Sequence, residues 1–495
     1  MSSASSPAPK RPLRTQVLTN TIVVIGGRAI SIGFSAVATS LLARYLGSEE
    51  LGEFSAVFAY LSLFAWFSTF GMESILVREA SRDRESAGSI VRTGVMLMAL
   101  LCVASVTLAL FIAPHAGYRD RLLVLVAIAC IETLIAPLRL PGLVFQVDLR
   151  QWYGVGINVI RQGLWLALII ALREYHAPLT YVVGARVAVA TVEALLIWSA
   201  SRRFFSASAT VLWRQAPHYL KESFPVAIST LLAGVYLRID QVMLHNMVND
   251  RVLGQYAAAV KVSELLETAP SALLYSMAPI LSVAAGIQFQ FQAYQSRTFR
   301  YLNVCAAGLC VVITVGAPLI IKGLYGPKFS AAVLLLQILI WSEISIFFSA
   351  VVMNILVARN QQRYLAIPTA AGAIVNVLLN LYLIPRYAAV GAAIATVVSY
   401  TVGWMVILLF FRETRSTICD GWKTVLPALL VAGCAIGVAV LLPYGDGLRS
   451  LVAVFTFAAG VVLSRLVHRE DVAFAWSALA GMFPKAKQDP GSFLP

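Results

Sequence analysis

The feature that most constrains this chain is the recurrence of apolar runs of about 20 residues along nearly its whole length. A run of this length, folded as a helix, crosses a hydrocarbon layer of roughly 30 Å. Short polar connections separate the runs, so the chain is predicted to be an all-α, multi-pass membrane protein. The fourteen predicted runs are 17–43, 53–77, 91–113, 121–146, 153–172, 179–201, 223–248, 253–285, 300–321, 331–357, 364–384, 389–411, 424–443 and 448–467.

The composition excludes a string of soluble domains. Of the 495 residues, 59% are hydrophobic and 13% are charged, whereas soluble domains are about a quarter charged. The net charge of +14 would suit a nucleic-acid-binding protein, but the basic residues are concentrated in short segments next to the apolar runs. We therefore expect no nucleic-acid partner and interpret this charge as a signal of membrane topology.

The distribution of Lys and Arg predicts the orientation of the helices, because basic residues accumulate in cytoplasmic connections. Of the 38 basic residues, 24 lie in tails and connections on the N-terminal side, nine on the opposite side and five inside the runs. Both termini are therefore predicted to be cytoplasmic. The first run is too long for the apolar part of a cleavable signal peptide, so the first helix is expected to stay in the membrane.

The chain repeats itself weakly at an offset of 202 residues. The segment LGSEELGEFSAVFAY near the first connection is similar to MVNDRVLGQYAAAVKV near the seventh. Aligning Gly52 with Gly254 pairs Phe54 with Tyr256. Six predicted helices separate the copies, so both have the same orientation and the repeat is of the parallel kind. Such repeats place substrate between two bundles, although a match this short also arises by chance.

Motifs of common enzyme classes are absent from the sequence. HExxH, GxxxxGK[ST] and G-x-S-x-G do not occur, and the five histidines are scattered over different runs and connections. The six cysteines show neither ligand nor disulfide spacing and are interpreted as small core residues. The longest connection, from Arg202 to Lys221, is basic and about 20 residues long. We therefore expect no enzyme activity, no catalytic residues, no metal site and no cofactor.

Charged side chains persist inside the predicted helices, where each costs roughly 2.5 to 3.5 kcal/mol on insertion scales. Arg offers a planar fork that matches phosphate oxygens, so a basic cavity suits an anionic, pyrophosphate-bearing substrate. The predicted substrate-binding residues are Arg28, Arg161, Arg186, Arg238 and Lys261. Glu193 also lies inside a run, without an assigned role. The acidic residues assigned to ion coupling or ion pairing are Asp240, Glu264 and Glu267.

Simpler roles stay open for several of these groups. Arg161 and Arg186 lie about two turns from the starts of their helices, from where a long side chain reaches the interface. Lys261 and Glu264 share a helix face, so a local ion pair explains them as well as a ligand site does. Asp240 and the arginine two positions before it point to different faces, so one of them is expected to reach Lys261 or Glu264 on the neighbouring helix.

Four segments give the chain a likeness to a known family. They are NTIVVIGGRAISIGFSAVATSLLARYLGSEELGEFSAVFAY from Asn20, FGMESILVREASRD from Phe70, RIDQVMLHNMVNDRVLGQYAAAVKVSELL from Arg238 and NILVARNQQRYLAIPTAAG from Asn354. In order and spacing they resemble the polysaccharide transporter family, the Wzx-type lipid-linked oligosaccharide flippases of the multidrug/oligosaccharidyl-lipid/polysaccharide exporter superfamily. The resemblance covers about residues 15–411.

This resemblance implies both an architecture and a function. The architecture consists of two pseudo-symmetric six-helix lobes around a central cavity, here with two further C-terminal helices. Those two either border a groove for a prenyl tail or pack outside. The predicted divisions are a basic cytoplasmic tail at 1–16, an N-lobe of helices 1–6 at 17–201, a cytoplasmic linker at 202–222, a C-lobe of helices 7–12 at 223–411, helices 13–14 at 412–467 and a cytoplasmic tail at 468–495.

The implied function is flipping of undecaprenyl-pyrophosphate-linked oligosaccharide units across the bacterial inner membrane by alternating access. The units would serve the biosynthesis of O-antigen, capsule or exopolysaccharide. Expected partners are the lipid-linked oligosaccharide, membrane lipids, and the polysaccharide polymerase and glycosyltransferases of the pathway. By the same resemblance, Arg28, Arg238 and Lys261 would line the cavity.

Three other functions compete with this one. A cation-coupled multidrug antiporter of the same superfamily would require an acidic cavity with few arginines. A membrane component of a polysaccharide polymerase or glycosyltransferase system would require an extramembrane catalytic domain. A scaffold that transports nothing would tolerate neutral substitutions of the charges inside the helices.

Overall fold

A computed structural model describes residues 13–148, 150–204, 210–266, 270, 274, 288–443 and 445–467. In these residues the chain is almost entirely helical, and they form no strand. A helix pairs its backbone N–H and C=O groups within one segment, which a hydrocarbon environment requires. The prediction of an all-α, multi-pass membrane protein is confirmed.

Fifteen α-helices lie in the described part of the chain, several of them joined by short 3-10 segments. Ala136–Leu143 is such a segment and continues α4 into α5, while Val402–Val406 is π-helical and extends α13. The helices are α1 Leu13–Thr69, α2 Met72–Arg82, α3 Ala87–Ile112, α4 Asp120–Ile135, α5 Val144–Val147, α6 Trp152–Glu174, α7 Leu179–Ser201, α8 Ala216–Met247, α9 Asp250–Leu266, α10 Gln288–Tyr325, α11 Ala331–Leu339, α12 Ser342–Ala358, α13 Ala366–Thr401, α14 Arg412–Leu441 and α15 Asp446–Leu463.

Eleven stretches of the described residues are long and apolar enough to cross a membrane. The stretch Gly26–Arg82 holds the first two predicted runs, because α1 breaks at Gly47, where φ is 70° and a glycine is favoured. Gln362–Phe410 holds two more, with a break at Ala388. Of the eighth predicted run, 253–285, the structure describes residues 253–266, 270 and 274. The predicted runs therefore correspond to helices along the described chain.

The helices form two compact units. Unit 1 comprises the described parts of Met1–Lys261, Leu324–Phe329 and Asn376–Ala392. Unit 2 comprises those of Val262–Gly323, Ser330–Val375 and Ala393–Pro495. The units are defined by contacts alone, so the lobe boundaries expected from the sequence stay a prediction.

The last two helices contribute to the core of unit 2. Ile418 of α14 is buried in one cluster with Phe299 of α10 and Phe348 of α12. A side chain at Gly421 would overlap the ring of Phe348, so the close approach of α14 requires a glycine there. The indole of Trp422 donates a 2.8 Å hydrogen bond to a backbone carbonyl of the π-helical segment. α14 is therefore an integral part of this unit.

The two copies of the sequence repeat meet inside unit 1. A Cβ at Gly52 would overlap the carbonyl oxygen of Asp250, and a Cβ at Gly254 would overlap that of Ser48. The two contacts are equivalent under the alignment that pairs Gly52 with Gly254, since Ser48 then pairs with Asp250. Reciprocal contacts of this kind are produced by a twofold relation between the copies. We call this contact the glycine crossing.

Polar contacts surround the glycine crossing. Glu49 and Arg251, themselves 202 residues apart, form an ion pair of 3.3 Å. His245 Nδ1 lies 2.6 Å from Asp250 Oδ1. The His245 ring stacks on that of Tyr118, with ring centroids 4.7 Å apart. Burial raises the pKa of Tyr118, so its hydroxyl stays protonated and donates a 3.1 Å hydrogen bond to a backbone carbonyl of α1.

Candidate functional site

A chain of alternating charges lies within unit 1. On α7, Arg186 Nε is 3.4 Å from Glu132 Oε2 of α4, and Glu132 Oε1 is 3.8 Å from Arg139 Nη2. Arg139 Nε is 3.5 Å from Glu193 Oε2 of α7. The other oxygen of Glu193 is 3.1 Å from Arg161 Nε of α6. We call these five residues the arginine–glutamate chain.

The residues of the arginine–glutamate chain lie deep in the membrane-spanning segments. Arg161 is nine residues into α6, which is about 14 Å along the helix axis. Glu193 is fourteen residues into α7, or about 21 Å along it. Arg139 lies in the 3-10 segment between Pro137 and Pro141, where proline removes backbone donors and interrupts the helix. Such breaks in spanning helices are where transporters commonly build binding sites.

Polar side chains continue the arginine–glutamate chain to α1. Arg161 Nη2 donates a 2.9 Å hydrogen bond to Asn158 Oδ1, and Asn158 Nδ2 donates a 3.1 Å bond to Ser31 Oγ. Arg28 precedes Ser31 by three residues and so lies on the same side of α1. The Arg28 side chain is exposed, with no hydrogen bond or ion pair to the other described residues.

Arg186 is held against aromatic rings and is still accessible. Its guanidinium carbon lies 3.7 Å from the ring centroid of Phe58 and 5.6 Å from that of Phe54, which is cation–π geometry. Of its side-chain surface, 39% is accessible. The charges of Arg161 and Arg238 both act on it electrostatically. Three of the predicted arginines therefore share one region of unit 1.

The remaining predicted residues lie on α8 and α9. Asp240 is buried and accepts hydrogen bonds from the Tyr256 hydroxyl of α9 and, at 2.7 Å, from the backbone N–H of the next residue. Asp240 thus reaches the neighbouring helix through a tyrosine. Lys261 is exposed on α9 and Glu264 is partly buried. Glu267 lies outside the described residues.

Three members of the arginine–glutamate chain have no role in the sequence interpretation. From the sequence, Arg139 is assigned to a connection because Pro137 and Pro141 flank it, although the fourth apolar run continues to residue 146. Glu132 is an acidic residue in the apolar stretch LVLVAIACIETLIAP, and an ionisable residue at membrane depth is by itself a signal of function. Glu193 follows Arg186 by seven residues, which places both on one face of α7.

The groups of this region can bind an anion. Arginine and carboxylate groups form ion pairs and hydrogen bonds, and three arginines with two glutamates leave a positive balance. Such a balance favours an anion with several oxygen acceptors. Among the residues that the structure describes, no group of three His, Cys, Asp or Glu side chains is placed to hold a metal ion.

The helical fold defines a multi-pass membrane protein with a charged site inside its spanning segments. Residues 17–283 match the polysaccharide biosynthesis protein family, and the chain belongs to that family. Over 453 residues it is 23% identical to the probable low-salt glycan biosynthesis flippase Agl15 of Haloferax volcanii, a match that covers 88% of this chain and 91% of that protein. The resemblance to polysaccharide transporters is therefore confirmed.

The fold also occurs in solved structures. The lipid II flippase MurJ in its inward closed conformation aligns with a TM-score of 0.72 and 14% identity, covering 90% of this chain and 99% of the other. An inward-facing multidrug resistance MATE family transporter of the MOP superfamily aligns with a TM-score of 0.57 and 15% identity, covering 81% and 99%. At these identities the likeness concerns the fold alone.

Proposed function

We propose that this protein flips undecaprenyl-diphosphate-linked oligosaccharide units across the bacterial inner membrane. The observation that carries the proposal is the clustering of Arg161, Arg186 and Arg238 at membrane depth in unit 1. Charged groups are expensive there, and Arg139, Arg161 and Arg186 outnumber the two glutamates that pair with them. An anionic ligand would neutralise the remaining positive charge. The diphosphate that joins a polyprenyl carrier to a glycan is such a ligand.

Arginine suits this ligand better than lysine does. Its planar guanidinium forms two parallel hydrogen bonds with phosphate oxygens and keeps its charge at membrane depth. Arg186 has one face against the ring of Phe58, which fixes the direction of the fork. Part of its side chain is accessible, so a ligand can reach it.

The relatives support a glycan-related substrate. The Haloferax protein is described as a glycan biosynthesis flippase, and MurJ as a lipid II flippase. Both descriptions refer to flipping, and neither refers to a multidrug substrate. For this chain we propose both termini on the cytoplasmic side, as the basic connections predict. Glycosyltransferases would then build the unit on that side, and a polymerase would receive it on the other.

The proposed mechanism is alternating access. The arginines bind the diphosphate from the cytoplasmic leaflet, and a change in helix packing exposes them to the opposite side. No bond in the substrate is made or broken by the chain. Asp240, Glu264 and Glu267 stay candidates for coupling the cycle to an ion gradient.

Flipping in proteoliposomes tests the proposal. Purified protein is reconstituted with a polyprenyl-diphosphate oligosaccharide, and the fraction of glycan accessible to an external lectin is followed over time. We expect Arg161→Gln and Arg186→Gln each to slow flipping at least tenfold, because each removes a charge from the site. Arg173→Gln is the matched control, since Arg173 is an exposed residue in the last turn of α6.

Two results would contradict the proposal. One is wild-type protein that leaves the lipid-linked glycan in its original leaflet while it exports cationic dyes, which would identify a multidrug antiporter. The other is normal flipping by Arg161→Gln and Arg186→Gln, which would remove the arginines from the binding site.

A further inference from the structure

We propose that Glu132 and Glu193 are exchangeable counter-ions, which pair with the arginines between transport events and are displaced from them by a substrate diphosphate carrying two negative charges. This inference rests on the proposed function and adds to it how the site releases its ligand. All five residues of the arginine–glutamate chain lie in unit 1.

The first argument is that the ion pairs are loose. Ionic hydrogen bonds between nitrogen and oxygen are usually 2.7–2.9 Å long. In the arginine–glutamate chain the four N–O distances are 3.1, 3.4, 3.5 and 3.8 Å. Each carboxylate is shared between two arginines, and each contact joins one guanidinium nitrogen to one oxygen instead of forming a two-nitrogen fork. Such contacts neutralise charge but hold the partners weakly.

The second argument is that the donors of Arg139 are poorly satisfied. Its buried Nε and Nη2 atoms face Glu193 and Glu132 at 3.5 and 3.8 Å but form no hydrogen bond within the described part of the chain. Buried donors that lack hydrogen bonds are costly, so the site gains stability when a ligand supplies phosphate oxygens at hydrogen-bond distance. Arg139 also contacts both glutamates, Glu132 and Glu193, and therefore lies at the centre of the exchange.

The third argument is the charge balance. Arg139, Arg161 and Arg186 carry three positive charges against the two negative charges of the glutamates. A diphosphate esterified at both ends carries two negative charges, whereas a phosphodiester carries one. The diphosphate can therefore replace both carboxylates as partners of the arginines charge for charge, which a phosphodiester cannot.

Exchange explains how tight binding and release are compatible. If the arginines faced the diphosphate alone, each transport event would have to separate several unscreened ion pairs at membrane depth. Glu132 and Glu193 offer the same arginines alternative partners within the same region. The leaving diphosphate is then replaced by carboxylates instead of by lipid or water. The glutamates therefore weaken binding and accelerate release.

Binding to the full-length protein in lipid nanodiscs tests this inference. Inorganic diphosphate is titrated by calorimetry, with inorganic phosphate in parallel and a water-soluble short-chain polyprenyl diphosphate as a competitor. We expect wild-type protein to bind diphosphate at least tenfold more tightly than phosphate. We expect Glu193→Gln to bind diphosphate at least tenfold more tightly than wild type and to flip the lipid-linked glycan at least tenfold more slowly. The competitor should displace the free diphosphate, which assigns the site to the lipid-linked ligand.

The matched control is Glu174→Gln, which removes an exposed carboxylate at the end of α6 and should leave affinity and flipping unchanged. Glu132→Gln is the second variant, with the same expected gain in affinity. Arg139→Gln should weaken diphosphate binding at least tenfold. A purely structural ion pair would not produce opposite effects of Glu193→Gln and Arg139→Gln on the affinity for diphosphate.

The inference is overturned if a folded Glu193→Gln or Glu132→Gln variant binds diphosphate no more tightly than wild type. It is also overturned if neither variant folds, because the carboxylates are then structural and cannot exchange. Failure of the proposed function looks different, since wild-type protein would then fail to flip the glycan. Normal flipping by wild type with unchanged affinity in both glutamine variants removes this inference alone.

Discussion

At the scale of single residues, the hydrogen bond from Tyr256 to Asp240 is expected to stabilise the buried carboxylate on α8. Tyr256 and Asp240 are both buried, and the hydroxyl donates to the carboxylate across two helices. Hydrogen bonds to charged groups contribute about 1.5 to 3 kcal/mol. We therefore expect Tyr256→Phe to destabilise the protein by about 2 kcal/mol, measured as a lower Tm in detergent.

Tyr387→Phe is the control for this substitution, because Tyr387 is 58% exposed. It should leave the Tm unchanged within about 1 °C, since surface substitutions rarely exceed 0.5 kcal/mol. Equal melting temperatures for Tyr256→Phe and wild type would show that Asp240 is held by other groups.

The sequence predicts which residues are charged at membrane depth, and it does not predict their partners. Arg161 and Arg186 follow from their positions inside apolar runs. Their carboxylate partners come from α4 and α7, up to 54 residues away in sequence. Spacing within one helix reveals only partners three or four residues apart. The pairing of Arg161 with Glu193 therefore depends on how helices pack, and hydropathy carries no information about this.

At the scale of elements, the glycine crossing predicts a specific sensitivity to one methyl group. An added Cβ at Gly52 or Gly254 would overlap a backbone carbonyl oxygen, which has no rotamer by which to move aside. We expect Gly52→Ala and Gly254→Ala each to lower the Tm by several degrees, corresponding to about 1 to 3 kcal/mol of overpacking. The double variant should lower it by less than the two single effects together, because both act on one contact.

Gly433→Ala on α14 is the matched control, since no atom lies within 4 Å of a Cβ placed there. Alanine is favoured over glycine inside a helix by about 1 kcal/mol, so its Tm should be unchanged or higher. A Tm for Gly52→Ala equal to that of Gly433→Ala would exclude the close approach described for the crossing.

Helix breaks are the elements best predicted from sequence. Pro137 and Pro141 interrupt the fourth apolar run, and the structure has a 3-10 segment there. The connection predicted after the first run corresponds to the break at Gly47. Proline and glycine act on their own backbone, so the helix breaks that they cause can be predicted from the local sequence. The position of Arg139 within the break, facing two glutamates, depends on α7 and is not readable in this way.

At the scale of the whole molecule, truncation tests how far the last two helices belong to the fold. α14 contributes buried residues to the core of unit 2, and Phe457 of α15 packs in the same cluster. A chain ending at Phe411 would expose the rings of Phe299 and Phe348, which α14 covers at Gly421. We expect this chain to aggregate in detergent, as judged by its elution from a size-exclusion column.

A chain ending at Leu442 removes α15 and the residues that follow it, keeps α14, and should stay monodisperse with a lower Tm. A chain ending at Val467 keeps both helices and is the control, with the elution and Tm of the intact protein. If the chain ending at Phe411 elutes as a single sharp species, α14 is dispensable for the core of unit 2.

The order of the apolar helices in the described part of the chain follows from the sequence, because hydropathy depends on residues next to each other. The tertiary contacts of α14 do not follow from hydropathy, since Gly421 and Phe348 are far apart in the chain. The internal repeat is predicted from the sequence only in part. Its sequence signal is weak, yet it aligns the two glycines that meet in the structure.

The glycine crossing also bears on how such a chain arose. Each copy of the repeat touches its own counterpart there, so residue 52 of one copy meets residue 250 of the other as residue 254 meets residue 48. Two identical half-length chains would form the same contact as an isologous interface. Any substitution in such an ancestor would have acted twice, once on each side of the axis. In a single chain the two copies are not bound by this constraint, and they differ away from the axis, where Arg28 aligns with Thr230.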